Sequence, residues 1–286
     1  MVNPWMINLA IYHKIQDEME SLFRSRLQIQ ILLSISDGTK TLADLRKVTG
    51  SSSQALLPLI RKMEKGGLIG ETKNDYALTP LGTLVSKRVD DFVLFLSMIK
   101  NHGEFWNNHY LEAIPYVFLC NLGELHNSTI IRDTNVNVLC AFRNFLKIVD
   151  EAREVWGVSS IMSVEHAESI AAKVRAGNPV EFIVNREVSV QLQKEPYREK
   201  IAALLPCNNF SLRVVSQPLH IRLIITDRYF SLGLYKNDKI TYDVTTDLFS
   251  SDADAIAWGR RLFRYYYDRS VPFDIEVSNP DSEIPL

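Results

Sequence analysis

Residues 41–79, TLADLRKVTGSSSQALLPLIRKMEKGGLIGETKNDYALT, set two helical apolar periods back to back and close them with a polar hairpin. Leu42, Leu45 and Val48 recur at three-residue spacing, which predicts a short helix over 41–48. Thr49-Gly50 breaks it, and Ser51-Ser52-Ser53 offers N-caps for a second helix that runs to Lys65. The inner side of that helix carries Leu56, Leu59, Ile60 and Met63, and Gly66-Gly67 stops it. Two short strands follow over 68–72 and 76–79, joined by Lys73-Asn74-Asp75. Helix, tight turn, helix and hairpin in this order constrain the segment to a winged helix-turn-helix. Pro58, inside the second helix, is expected to kink it.

The outer residues of this segment suit double-stranded DNA. Ser51, Ser52, Ser53 and Gln54 sit at the tip that would enter a major groove, where hydroxyls and an amide reach phosphates or base edges. Arg46, Lys47, Arg61, Lys62 and Lys65 would neutralise phosphates, and Lys73 at the hairpin tip would reach the adjacent backbone. An ordinary solvated helical hairpin is the plain alternative, but caps, apolar spacing, the glycine stop and the wing all agree on the DNA reading. The charge distribution supports it modestly. Residues 1–90 hold 12 Lys+Arg against 9 Asp+Glu, whereas the remainder holds 20 against 25, an asymmetry hidden in the net charge of −2.

Length and composition set the frame for the rest. A chain of 286 residues with 46% hydrophobic and 23% charged residues is long enough for two cores. Cys120, Cys140 and Cys207 are scattered, with no CxxC pair and no histidine cluster, so neither a metal, a disulfide framework nor any other cofactor is expected. Apolar runs such as 92–99 are too short to span a bilayer and no signal peptide opens the chain; a cytoplasmic protein without a membrane partner is the expectation.

The remaining pattern gives a fold class of α+β/α/β: an N-terminal winged helix-turn-helix, a helical linker and a C-terminal α/β domain with a mixed sheet. The divisions fall at 1–100 (winged domain with flanking helices), 101–153 (helical connector), 154–268 (α/β effector domain) and 269–286 (loosely packed tail). Residues 5–15 and 18–36 read as helices before the motif, and 80–100 as a long helix after it. The stripe Leu81, Leu84, Val85, Val89, Phe92, Leu96 and Ile99 on that last helix packs within the chain or forms a homodimer interface. Strands are expected over 155–159, 180–185, 211–215, 221–226, 229–235 and 240–244. Helices are expected over 165–176, 189–205 (interrupted at Pro196) and 253–267.

One constellation in this domain bears on chemistry. His220-Ile221-Arg222-Leu223-Ile224-Ile225-Thr226-Asp227 has the form H-x-R-x-x-x-x-D and resembles the H-x-K-x-x-x-x-D signature of the phospholipase D superfamily. In that superfamily the histidine is nucleophile or acid, the lysine holds phosphate and the aspartate tunes the histidine. Here arginine replaces lysine, Ser231-Leu232-Gly233-Leu234 stands where a small residue and an asparagine belong, and only one copy is present. A degenerate scaffold kept for ligand binding is therefore preferred to a phosphodiester-processing enzyme using His220, which remains the alternative function; no catalytic residue is assigned. The strand ends bring forward Trp156, Ser159, Ser160, Arg186, His220, Arg222 and Asp227 as candidates for holding an unknown small-molecule effector. Equally, Trp156 reads as core and the serines as caps.

Several segments together carry a family resemblance: SSSQALLPLIRKMEKGGLI (51–69), YALTPLG (76–82), FWNNH (105–109), Ile114-Pro115, LGEL (122–125) and WGVS (156–159). Over about residues 23–267 the chain resembles archaeal winged-helix transcriptional regulators of the ArsR-like group that carry a middle domain of the methanogenesis regulatory protein type. The resemblance implies a one-component regulator, with DNA binding at the N-terminus and an effector or interaction domain behind it. It also implies that the proline at position 58 is tolerated.

Overall fold

The structure is a computed structural model that describes the backbone of residues 4–275. The chain divides into two compact units, one up to Val93 and the other from Leu94 onward. In the first, helix α1 (Pro4–Phe23) is followed by α2 (Arg26–Ile35), a two-residue strand β1 (Lys40–Thr41), α3 (Leu42–Thr49), α4 (Ser53–Lys65), strands β2 (Ile69–Thr72) and β3 (Asp75–Leu78), and the start of α5 (Pro80–Asn108). The three strands form a small antiparallel sheet in the order β1-β3-β2. Ile31, Leu32 and Ile35 of α2 pack with Leu45, Leu56, Ile60, Met63, Ile69, Tyr76 and Val89 to make its core.

Local chemistry sets these boundaries. The expected helix over 18–36 is in fact two, because Ser25 adopts an extended backbone and its hydroxyl caps α2 by accepting from the Gln28 N–H at 3.3 Å. Thr41 and Asp44 form a reciprocal capping box at the start of α3. Gly50 ends that helix in the left-handed region (φ 66°), a conformation that costs glycine least. Pro58 does not interrupt α4: it lies on the exposed face, and the exposed Gln54 leaves the carbonyl it would have bonded open to water. The Thr79-Pro80-Leu81-Gly82 segment locks the wing to α5. The Thr79 hydroxyl accepts from the Gly82 N–H at 3.0 Å, and a Cβ at Gly82 would stand 1.8 Å from the Leu68 carbonyl oxygen.

The second unit begins within α5, which has one non-helical residue, His102. It continues with the one-turn helix α6 (Tyr116–Leu119), β4 (Thr129–Arg132), α7 (Cys140–Glu151), β5 (Val155–Ser159), α8 (Val164–Arg175), β6 (Val180–Asn185), α9 (Arg186–Leu192), α10 (Arg198–Leu204), β7 (Phe210–Val215), β8 (Ile221–Thr226), β9 (Phe230–Leu234), β10 (Thr246–Ser250), α11 (Ala253–Tyr267) and β11 (Ser270–Pro272). Eight strands make one mixed sheet in the order β11-β7-β6-β5-β8-β9-β10-β4. β5, β6 and β7 run parallel, and every other pairing is antiparallel. One face packs on α11 and on Met98, Phe105, Trp106, Ile114, Phe118, Leu122 and Leu125; the other packs on α7 to α10. All six residues of β8 are buried, as a central strand covered on both faces must be.

In the second unit three elements differ from their sequence reading. The stretch 101–153, read as a helical connector, contains β4, whose Thr-Ile-Ile-Arg pairs with β10. The strand expected over 240–244 does not form. Asp238 Oδ1 accepts from the N–H groups of both Ile240 and Thr241, Asp243 Oδ1 accepts from that of Thr245, and the chain turns twice before β10. Directly after Asp268, β11 pairs with β7 and Phe273 is buried; the rest of the expected loose tail, from residue 276, lies outside the described residues. Among the described residues no helix is long and apolar enough to cross a membrane.

Candidate DNA-binding face and interior cavity

On the outer face of α4, Gln54, Ala55, Pro58, Arg61, Lys62 and Lys65 are exposed, opposite the buried Leu56, Ile60 and Met63. Arg46 and Lys47 are exposed on α3, and Lys73 is exposed at the hairpin tip. Lys73 and Asn74 have φ of 53° and 67°, the signature of a two-residue turn that closes β2 on β3 with Thr72 opposite Asp75. None of these six cations forms an ion pair within 4.0 Å among the described residues. The serines are less free than the sequence reading had them. Ser52 is the N-cap of α4 and accepts from the Ala55 N–H at 3.3 Å, and Ser51 and Ser53 are half-buried. Gln54 is the exposed polar side chain at that tip.

The sequence-selected residues of the second unit do not form one site. Successive side chains of β5 point to opposite faces of the sheet. Trp156 therefore packs on the α11 side, with Arg260 over its ring at 4.6 Å and its indole N–H donating to Glu181 at 3.3 Å. Ser159 faces the other side. Both serines are occupied: Ser159 bonds the Ile161 carbonyl at 2.7 Å and Ser160 the Ile221 carbonyl at 3.0 Å. Arg186 is exposed in the first turn of α9.

The H-x-R-x-x-x-x-D residues also separate. His220 precedes β8 and is flanked edge-on by the Tyr110 and Tyr235 rings, at 5.4 and 5.2 Å. Asp227 follows the other end of the strand and accepts from the Arg153 backbone N–H at 2.9 Å. A six-residue strand spans roughly 20 Å, so Asp227 does not orient His220.

Arg222 anchors a buried polar cluster. It is 4% exposed and donates through Nη2 to Asp247 of β10, which also accepts from the Ser231 hydroxyl at 3.2 Å. Burial raises the Asp247 carboxyl above its ordinary range, against the opposing pull of Arg222; burial also raises the neighbouring Tyr242 hydroxyl. Beside this cluster lies a cavity of about 40 Å³ among α7, α8, α10 and the sheet, lined by Ser159, Arg222 and otherwise mostly apolar side chains such as Phe145, Met162, Ile201 and Phe210. Arg222 and His166 both line it, and the Arg222 Nε and the His166 Nε2 are buried without a hydrogen-bond partner among the described residues. Neither His166 nor Asp247 was selected from sequence. The available signals were an acidic residue within a strand of β-branched and aromatic neighbours and a histidine in a capped first turn, both weak.

His166 packs against the Phe142 and Phe145 rings, at 5.1 and 4.2 Å. Burial first, and Arg222 second, push its pKa from 6.5 down to about 4. The unfolded chain therefore binds the proton that the folded chain refuses. Stability from this group is complete above pH 6.5 and is lost as pH falls toward 4, by up to about 1.4 kcal/mol per pH unit. His102, also held low by burial, adds in the same direction. Urea midpoints measured between pH 7 and 4.5 should fall, and His166→Phe should flatten the profile; an unchanged profile in that variant refutes the assignment.

A winged helix-turn-helix with an exposed basic face, in one chain with a helix-covered eight-stranded mixed sheet, makes this a two-unit protein of the winged-helix class. Residues 16–97 match the N-terminal domain, and residues 140–269 the middle domain, of the family described as methanogenesis regulatory protein FilR1. The chain belongs to this family. Methanogenesis regulatory protein FilR1 of Methanothrix harundinacea (strain 6Ac) is 25% identical over 253 residues, which are 87% of this chain and 56% of that protein. The chain thus spans about half the length of the curated relative it matches. Among solved structures, TrmBL2, an archaeal chromatin protein, is similar with a TM-score of 0.41 and 14% identity, over 90% of this chain and 98% of its own. Nuc from Salmonella typhimurium, a phospholipase D family member, has a TM-score of 0.40 and 10% identity, over 51% of this chain and 97% of its own.

Proposed function

We propose that this protein is a dimeric, DNA-binding transcriptional regulator whose second unit senses a small molecule. The observation that carries the DNA reading is the outer face of α4. Among the described residues Arg61, Lys62 and Lys65 form no ion pair within 4.0 Å, and they stand on one face with the exposed Gln54, with Lys73 at the wing tip. Phosphate neutralisation by such cations gives affinity, and the glutamine amide gives base discrimination. Family membership supports a regulatory role, and the separation of Asp227 from His220 speaks against the phosphodiesterase alternative. Fluorescence anisotropy against duplex DNA from upstream of the coding region, with a scrambled duplex beside it, tests the reading. Binding that discriminates the scramble and weakens with salt is expected; sequence-blind, salt-insensitive binding sinks it.

Exposed apolar side chains of the first unit support the dimer. Ile11, Tyr12, Ile15 and Met19 are exposed along α1, Leu81 and Leu84 along α5, and Phe23 meets Phe92 edge-on at 5.5 Å. Leu84 is 69% exposed, an exposure that a second copy of the chain would relieve. Paired recognition helices then read paired half-sites, and an effector acts only if it prefers one arrangement of the two. Sedimentation velocity is expected to give a dimer that Ile15→Glu/Leu84→Glu converts to monomer. A monomeric wild type would refute the interface.

A further inference from the structure

We infer that the cavity beside Arg222 binds a small, neutral, largely apolar molecule presenting one carbonyl-type oxygen, an inference that rests on reading the second unit as a sensor. Three observations define the ligand. First, the walls are apolar: Phe145, Met162, Ile201 and Phe210 surround the space, and the half-exposed Met162 and His166 bring it to the surface. An apolar body gains there by leaving water.

Second, a residue lining the cavity carries an unsatisfied donor. The guanidinium of Arg222 is committed to Asp247 through Nη2, and its Nε–H, buried and unpaired, is left for a ligand. The His166 Nε2 is a second buried polar atom without a partner. A buried donor without an acceptor is costly, so an oxygen placed against it recovers more than the same contact at the surface.

Third, the charge is already balanced. Arg222 faces Asp247 and the Tyr242 hydroxyl, the Ser231 hydroxyl donates to Asp247, and His166 is neutral at physiological pH. A carboxylate entering the cavity would be a second anion sharing one guanidinium and would stay buried without a counter-charge. A ketone, ester or amide oxygen takes the hydrogen bond without that penalty. The volume of about 40 Å³ limits the buried part to a few heavy atoms.

Ligand-observed saturation-transfer titrations of the full chain test this with three probes of similar size: 2-butanone, sodium propanoate and butane-saturated buffer. We expect 2-butanone to bind, and propanoate and butane each to bind at least about tenfold more weakly. Ala167→Phe, which fills the cavity from α8, should abolish the 2-butanone signal. His166→Phe, checked for folding by circular dichroism, should weaken it and serves if the first variant misfolds. No 2-butanone binding, equal binding of propanoate, or binding indifferent to both variants overturns the inference. Anisotropy on DNA with and without saturating 2-butanone separates the sensor reading: binding that leaves DNA affinity unchanged upholds the cavity's chemistry and removes its regulatory role.

Discussion

Replacing Arg61 and Lys62 together by alanine is expected to weaken duplex binding by roughly tenfold or more and to shallow the log–log salt slope by about 1.8 per protomer, two phosphate contacts at about 0.9 each, and so by about 3.6 for the dimer. Both side chains are exposed on the outer face of α4, away from Leu56, Ile60 and Met63. Alanine is the best helix former, so the fold should be untouched and the loss should report on DNA alone. Gln54→Ala makes the companion variant. Its amide carries no charge, so the slope should stay while discrimination against the scrambled duplex falls. A double variant that binds and responds to salt as wild type does would mean that α4 is not the phosphate-contacting helix.

How far each element is legible in sequence depends on whether its determinants are local. The winged segment is: capping box, Gly50, the apolar spacing of α4 and the Lys73-Asn74 turn lie within a few residues of what they control. The helices and strands of the α/β unit are legible for the same reason, through runs such as β6 and α11 with one period each. The 240–244 segment is not a strand because Asp238 and Asp243 outcompete its strand-like composition with side-chain bonds to backbone. The split between α1 and α2 turned on one serine.

The interior cluster is less legible, because it depends on which strands become neighbours. Arg222 and Asp247 come from strands separated by β9 in the sheet, and His166 from a helix packed against the same face. Arg222 stands out in the sequence through the H-x-R-x-x-x-x-D motif, whose other members the fold sends to the two ends of β8. Strand alternation alone could have parted Trp156 from Ser159, since they are three residues apart on one strand and must face opposite ways.

The same cluster yields the largest expected change in stability. Asp247→Ala should cost about 3–5 kcal/mol, because it leaves the Arg222 guanidinium buried without its counter-ion. For a domain of this size that lowers the melting midpoint by on the order of 10 °C. The cost is that of stranding a charge rather than the net worth of the pair, and a second variant separates the two. Arg222→Met/Asp247→Leu removes both charges while keeping apolar volume, and should recover most of the loss. If the double variant melts as low as the single one, the pair is holding β8, β9 and β10 in register through its bonds to Ser231 and the Tyr242 hydroxyl, and charge burial is the smaller part. If it melts near wild type, the ion pair contributes little to folding. Its retention in a core strand then has to be explained by a feature that methionine cannot reproduce, the unpaired Nε–H of a residue that lines the cavity.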